Sequence, residues 1–184
     1  MDARKFTNEM KICHHDWAAR VLWMGVNPEI GPDLIDNEKF VELKFALTGP
    51  FKPKKNGRPQ NYPLAWTVLE NQMSYPESSG KVGYWGLALY GLSKPVKSID
   101  AIDMCKGLED LVVNRDVYIV NFDWMKQYAP SETSGRTEIS EWENVFRYPK
   151  FADVPLVVDV EEVDRGNVYF TEGVSKDVFY TIPF

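Results

Sequence analysis

Pro32-Asp33-Leu34-Ile35-Asp36-Asn37-Glu38-Lys39-Phe40-Val41-Glu42-Leu43-Lys44-Phe45 is the stretch from which the fold is read. Gly31-Pro32 and Asp36-Asn37 are turn signals, and residues 39–47 carry Phe, Val and Leu at the density of a strand. On a strand, successive side chains alternate between faces. Glu42 and Lys44 therefore share one face, while Val41, Leu43 and Phe45 take the other. A carboxylate and an ammonium on one face of an apolar strand imply either a salt-bridged pair or a metal site.

Working outward, residues 4–20 read as a helix with Phe6, Met10, Cys13 and Trp17 on one stripe. Residues 21–26 are a compact apolar run and read as a first strand, ended by Asn27-Pro28 and forming a hairpin with the strand at 39–47. Residues 48–62 are rich in Gly and Pro and read as a loop. Lys52, Lys54, Lys55 and Arg58 lie in it with no acid among them, which suits contact with phosphate; a solvated surface loop is the alternative. Pro63 then opens a helix carrying Leu64, Ala65, Val68, Leu69, Gln72 and Met73, ending near Tyr75-Pro76. Residues 82–92 read as a central strand. A helix capped by Ser98 or Asp100 follows, with Ile102, Cys105, Leu108, Leu111 and Val112, and then a strand at 116–124. Beyond it, residues 139–148 read as a short helix, and 154–160, 168–171 and 178–182 as strands.

This order predicts an α/β (α+β) fold: a central mixed β-sheet flanked by helices over residues 1–126, with a β-rich C-terminal extension of the same domain at 127–184. With 184 residues, 44% of them hydrophobic and 14% aromatic, the chain has material for one substantial core. The net charge of -6 argues against nucleic-acid binding by bulk charge, leaving only a local basic patch. Two cysteines, no leader-like segment and no apolar run long enough to span a bilayer predict a cytoplasmic protein without membrane contact. Cys13-His14-His15 lacks the ligand spacing of a zinc site, so polar histidines on a helix flank are the expectation.

Hydrolysis of a phosphodiester needs the phosphate charge neutralised, a water activated and the leaving oxygen stabilised, and Mg²⁺ held by carboxylates does all three. Asp33 and Glu42 reach a common ion if their strands are adjacent, with the Leu43 carbonyl as a further ligand. Lys44 would then orient or help deprotonate the attacking water.

Pro-Asp followed by Glu-x-Lys, as Pro32-Asp33 and Glu42-Leu43-Lys44, resembles the PD-(D/E)XK nuclease superfamily of restriction, homing and junction-resolving endonucleases. The resemblance covers the motif and the order of elements to about Trp124. It implies a restriction-endonuclease-like core, Mg²⁺ dependence with Mn²⁺ as a plausible substitute, and cleavage of DNA. It makes Asp33 and Glu42 metal ligands and Lys44 the catalytic lysine. An acid on the first helix is matched by Glu9, with Asp16 second, and a helical Gln by Gln72, three residues before Tyr75. A single centre cuts one strand, so double-strand cleavage implies a homodimer or larger homo-oligomer; no nucleotide cofactor is expected. The competing readings are a non-catalytic protein-interaction protein on a similar α/β scaffold and an RNA-directed protein, although no RNP-type aromatic motif is present.

Overall fold

The computed structural model describes residues 3–48, 67–95, 98–100, 102–103, 107–123, 145–147 and 157–180. Helix α1 (Ala3–Val21) leads to short strands β1 (Gly25–Val26) and β2 (Leu34–Ile35), then β3 (Lys39–Thr48). After these come β4 (Thr67–Leu69), α2 (Glu70–Ser79), β5 (Val82–Leu92), a 3-10 helix (Leu108–Leu111) and β6 (Val112–Asn121). Strands β7 (Val145–Arg147), β8 (Val157–Val163) and β9 (Gly166–Thr171) and the turn of helix α3 (Asp177–Tyr180) follow.

Seven strands form one mixed sheet in the order β1-β2-β3-β5-β6-β9-β8, and β4 pairs with β7 apart from it. The β3–β5 and β6–β9 pairs are parallel, from Lys39↔Val82 and from Arg115↔Gly166. The two C-terminal strands thus continue the main sheet. Residues 39–47 and 82–92 are strands as their composition predicts. They are central and parallel, which suits side chains buried on both faces.

Alternation along β3 sorts the two layers. Val41 and Leu43 join Met10, Trp17 and Ala18 of α1 and the following Leu22 in the main core, with Tyr84, Ala88, Ile119, Val168 and Phe170 from neighbouring strands. On the other face, Phe40 stands edge-on to Tyr75 of α2 and to Phe122, and Phe122 packs on Trp85. Helices therefore cover the sheet from both sides. Among the described residues no helix is long and apolar enough to cross a membrane.

Several sequence expectations are corrected. Residues 21–26 are not a strand. Val21 ends α1, and Met24 N–H donates to Ala19 C=O (2.9 Å) while Trp23 N–H donates to Arg20 C=O (3.4 Å). With Trp23 at φ 56° this is a Schellman close, and only Gly25–Val26 is extended. A six-residue apolar run cannot by itself separate a helix end from a strand. The first strand does not pair with β3 either, because β2 lies between them.

The helix expected from Pro63 begins at Glu70, after strand β4, and continues through Pro76 to Ser79. Its last turn is held by Gly80 N–H on Pro76 C=O and the Ser79 hydroxyl on Tyr75 C=O. The helix expected up to Val112 is helical at 102–103, where Asp100 Oδ1 accepts Asp103 N–H (2.9 Å), but Gly107 at φ 95° precedes a separate 3-10 turn and Val112 already opens β6. Leu108 and Leu111 eclipse one another at i, i+3 in that turn, which mimics a helical stripe. Val145–Arg147, expected as helix, is a strand on β4. Val178, expected in a strand, lies in α3, whose entry is capped by the Ser175 hydroxyl accepting Asp177 N–H (3.3 Å). This turn buries Phe179 against Tyr84 and Phe170.

Candidate metal and phosphate site at the edge of β3

The turn between β2 and β3 fixes their register. The Asp36 carboxylate accepts the N–H groups of Glu38 (2.9 Å) and Lys39 (2.8 Å) and pairs with the Lys39 ammonium, and Asp36 N–H closes on Lys39 C=O (3.0 Å). Leu34 then stands opposite Val41, and one further step along the register brings Asp33 opposite Glu42. Strand β2 is too short to cover β3 beyond that point. Asp33 closes the gap with its side chain: Leu43 N–H donates to Asp33 Oδ2 (2.8 Å). A residue's N–H and C=O point to the same side of an extended strand, so the Leu43 carbonyl faces this rim too.

On the adjoining face, Lys44 Nζ donates to Glu42 Oε1 at 2.6 Å, with Glu42 buried and Lys44 28% exposed. Burial pushes the Glu42 carboxyl above the ordinary carboxylate range; Lys44 pulls it back, and the nearby Asp33 charge adds to the rise. A cation beside Glu42 would offset both the burial of its charge and the neighbouring Asp33 charge. Mg²⁺ takes one or two carboxylates and keeps several waters, so Asp33, Glu42 and the Leu43 carbonyl are the groups here that could hold one. Among the described residues no three His, Cys, Asp or Glu side chains converge on one point.

Helix α1 contributes Lys11, which its sequence did not single out, and His15, expected only as a polar histidine on the helix flank. His15 Nε2 stands 3.2 Å from Asp33 Oδ1, and Lys11 Nζ lies 3.8 Å from the same oxygen. Burial pushes the His15 ring below its ordinary value against the pull of Asp33, so at neutral pH a neutral imidazole faces the carboxylate. Lys11 and His15 are i, i+4 and share a helix face. That spacing beside the Met10–Trp17 stripe was the available signal. Of the acids expected from the first helix, the charges of Glu9 and Asp16 both bear on Cys13, and that of Asp16 also on His15. Gln72 lies in α2 with its side chain outside the described residues, as are Lys52, Lys54, Lys55 and Arg58 altogether.

Cys13, His14 and His15 face different partners. His14 is fully buried, shares a hydrogen bond between Nδ1 and the Tyr90 hydroxyl, and is pushed well below its ordinary pKa, first by burial. Beneath it Arg115, also fully buried, donates to Glu109 Oε2 (2.5 Å) and lies over the rings of Trp17 (5.1 Å) and Tyr90 (5.5 Å). These groups join α1 to the sheet.

No family model, no curated protein and no solved structure matches the chain.

Proposed function

We propose that this protein is a Mg²⁺-dependent DNA endonuclease built on a restriction-endonuclease-like core and acting as a homodimer or larger homo-oligomer. One observation carries the reading: the Asp33 carboxylate is fastened to the backbone of Leu43, the residue between Glu42 and Lys44. Three side chains suited to phosphodiester hydrolysis are thereby held around one strand edge. Asp33, Glu42 and the Leu43 carbonyl would hold the ion. Bound there, Mg²⁺ neutralises phosphate charge, makes a bound water more acidic and stabilises the leaving oxygen. Lys44 keeps its donors beside Glu42 and is exposed enough to reach a phosphate or a water on that face.

The alternative, a non-catalytic interaction protein, draws on the same geometry, since each carboxylate already faces a basic side chain: Glu42 faces Lys44, and Asp33 faces His15 and Lys11. Incubation with supercoiled plasmid and with a four-way junction, in Mg²⁺, Mn²⁺ or EDTA, decides between them. The nuclease reading expects metal-dependent cleavage that Asp33→Asn, Glu42→Gln and Lys44→Met each abolish while far-UV circular dichroism is unchanged. Full cleavage retained by any of the three refutes the site; no cleavage by the unsubstituted chain in either metal supports the alternative.

A further inference from the structure

We propose that Lys11, on α1, is a substrate contact that holds a backbone phosphate of the nucleic acid at the Asp33–Glu42 rim; this rests on the nuclease reading. Among the described residues, three basic side chains flank that rim, and they differ in what they can offer a ligand. His15 is 15% exposed, and its Nε2 is turned to Asp33 Oδ1 at 3.2 Å. Lys44 is 28% exposed and committed to Glu42 at 2.6 Å. Lys11 is 55% exposed, and its Nζ lies 3.8 Å from Asp33 Oδ1, beyond hydrogen-bonding distance.

Asp33 does not depend on Lys11. Its Oδ2 already accepts Leu43 N–H, and its Oδ1 faces His15. A loose, half-exposed ion pair contributes little to folding, so Lys11 can exchange it for a phosphate oxygen at small cost. The phosphate gains a charge-assisted hydrogen bond in return. Lys11 sits one helical turn before His15, about 5.4 Å along α1, and the lysine stem lets its ammonium swing from Asp33 toward solvent. Together Lys44 and Lys11 place a cation on each side of the carboxylate pair, one on the sheet face and one on the helix. In a chain of net charge -6, this gives an incoming polyanion a local positive approach.

Salt-dependent binding tests the assignment. The Glu42→Gln chain, inactive but folded, is titrated into a fluorescent 20-base-pair duplex across about 50 to 200 mM KCl, with and without Lys11→Met. Loss of one phosphate contact reduces the slope of log K against log salt by about 0.9 and weakens binding about eightfold at 0.1 M salt. Lys11→Arg restores both. In the active chain, Lys11→Met acts on KM more than on kcat and leaves the Mg²⁺ concentration for half-maximal rate in place. An unchanged slope overturns the proposal. So does a shifted Mg²⁺ midpoint with unchanged DNA affinity, which would make Lys11 a partner of Asp33 only. If the Glu42→Gln chain shows no salt-dependent DNA binding at all, the nuclease reading falls, and this contact with it.

Discussion

Glu42→Gln is expected to raise the stability of the metal-free protein even as it abolishes cleavage, and Lys44→Met to lower both. Glu42 is 5% exposed, and burial disfavours its ionised form while the Asp33 charge repels it. Gln keeps the shape and removes both penalties. The Lys44 ammonium left behind is 28% exposed and can turn to water. The balance favours Gln by about 1 kcal/mol, or about 2–4 °C in Tm for a chain of this size. Lys44→Met does the reverse, leaving a buried carboxylate facing Asp33. Breaking a buried pair costs about 3–5 kcal/mol. Proton uptake caps the loss, because protonating a carboxyl of ordinary pKa at pH 7 costs about 3.7 kcal/mol. A loss of about 2–4 kcal/mol follows, or on the order of 10 °C in Tm.

The pH dependence has a definite sign. A carboxyl whose folded pKa is raised contributes stability that is fully present below its unfolded pKa and lost as pH rises through the folded value. The advantage of Glu42→Gln is therefore largest at neutral pH and vanishes on acidification below the ordinary carboxylate range. Thermal melts followed by circular dichroism in EDTA, from about pH 4 to 8, measure both effects. A Gln variant that melts as low as the Met variant, or whose advantage grows toward acid, would refute the reasoning.

Three further outcomes are expected. Asp33→Ala leaves the buried Leu43 N–H without its acceptor and costs about 1–3 kcal/mol in urea denaturation, whereas Asp33→Asn retains an acceptor oxygen and loses less than about 1 kcal/mol. Gly166→Ala places a Cβ 1.5 Å from the Arg115 carbonyl oxygen, a backbone atom that cannot step aside. The β6–β9 junction must part, and a loss above about 4 kcal/mol, or no soluble protein, is expected; an unchanged melting curve would contradict it. Buried His14 refuses a proton that the unfolded chain accepts near its ordinary pKa. Stability therefore holds above about pH 6.5 and falls as pH drops, with a slope of about 1.4 kcal/mol per unit, to which the similarly depressed His15 adds. In the Glu42→Gln background, which removes the opposing carboxyl, urea midpoints at about pH 7.5, 6.5 and 5.5 should decline; a flat profile would contradict the assignment.

Where the sequence was legible, the determinants were local. Strands β3 and β5 are runs rich in aromatic residues and Leu bounded by turn signals, and they fold as composition predicts. Asp33, Glu42 and Lys44 are separated by a single Asx-closed turn, so their juxtaposition follows from hairpin register. The part α1 plays was not legible, because it depends on how the helix is rotated against the sheet. Periodicity marks Met10 and Trp17 as inward. It does not reveal that His14 belongs to the same buried stripe, nor that Lys11 and His15 meet the hairpin. Arg115 misleads for a similar reason: a charged residue in β6 reads as outward, yet the rings of Trp17 and Tyr90 and the Glu109 carboxylate enclose it.

The Asp33-to-Leu43 contact also bears on the order in which the molecule is assembled. Its ends are 10 residues apart, whereas Asp116 and Asn167, paired across β6 and β9, are 51 apart. Closing the longer loop costs about 1.4 kcal/mol more in chain entropy. The carboxylate rim is thus a local structure that can form while the sheet is still incomplete. Insertion of β9 between β6 and β8 is the step that must wait for distant segments to meet.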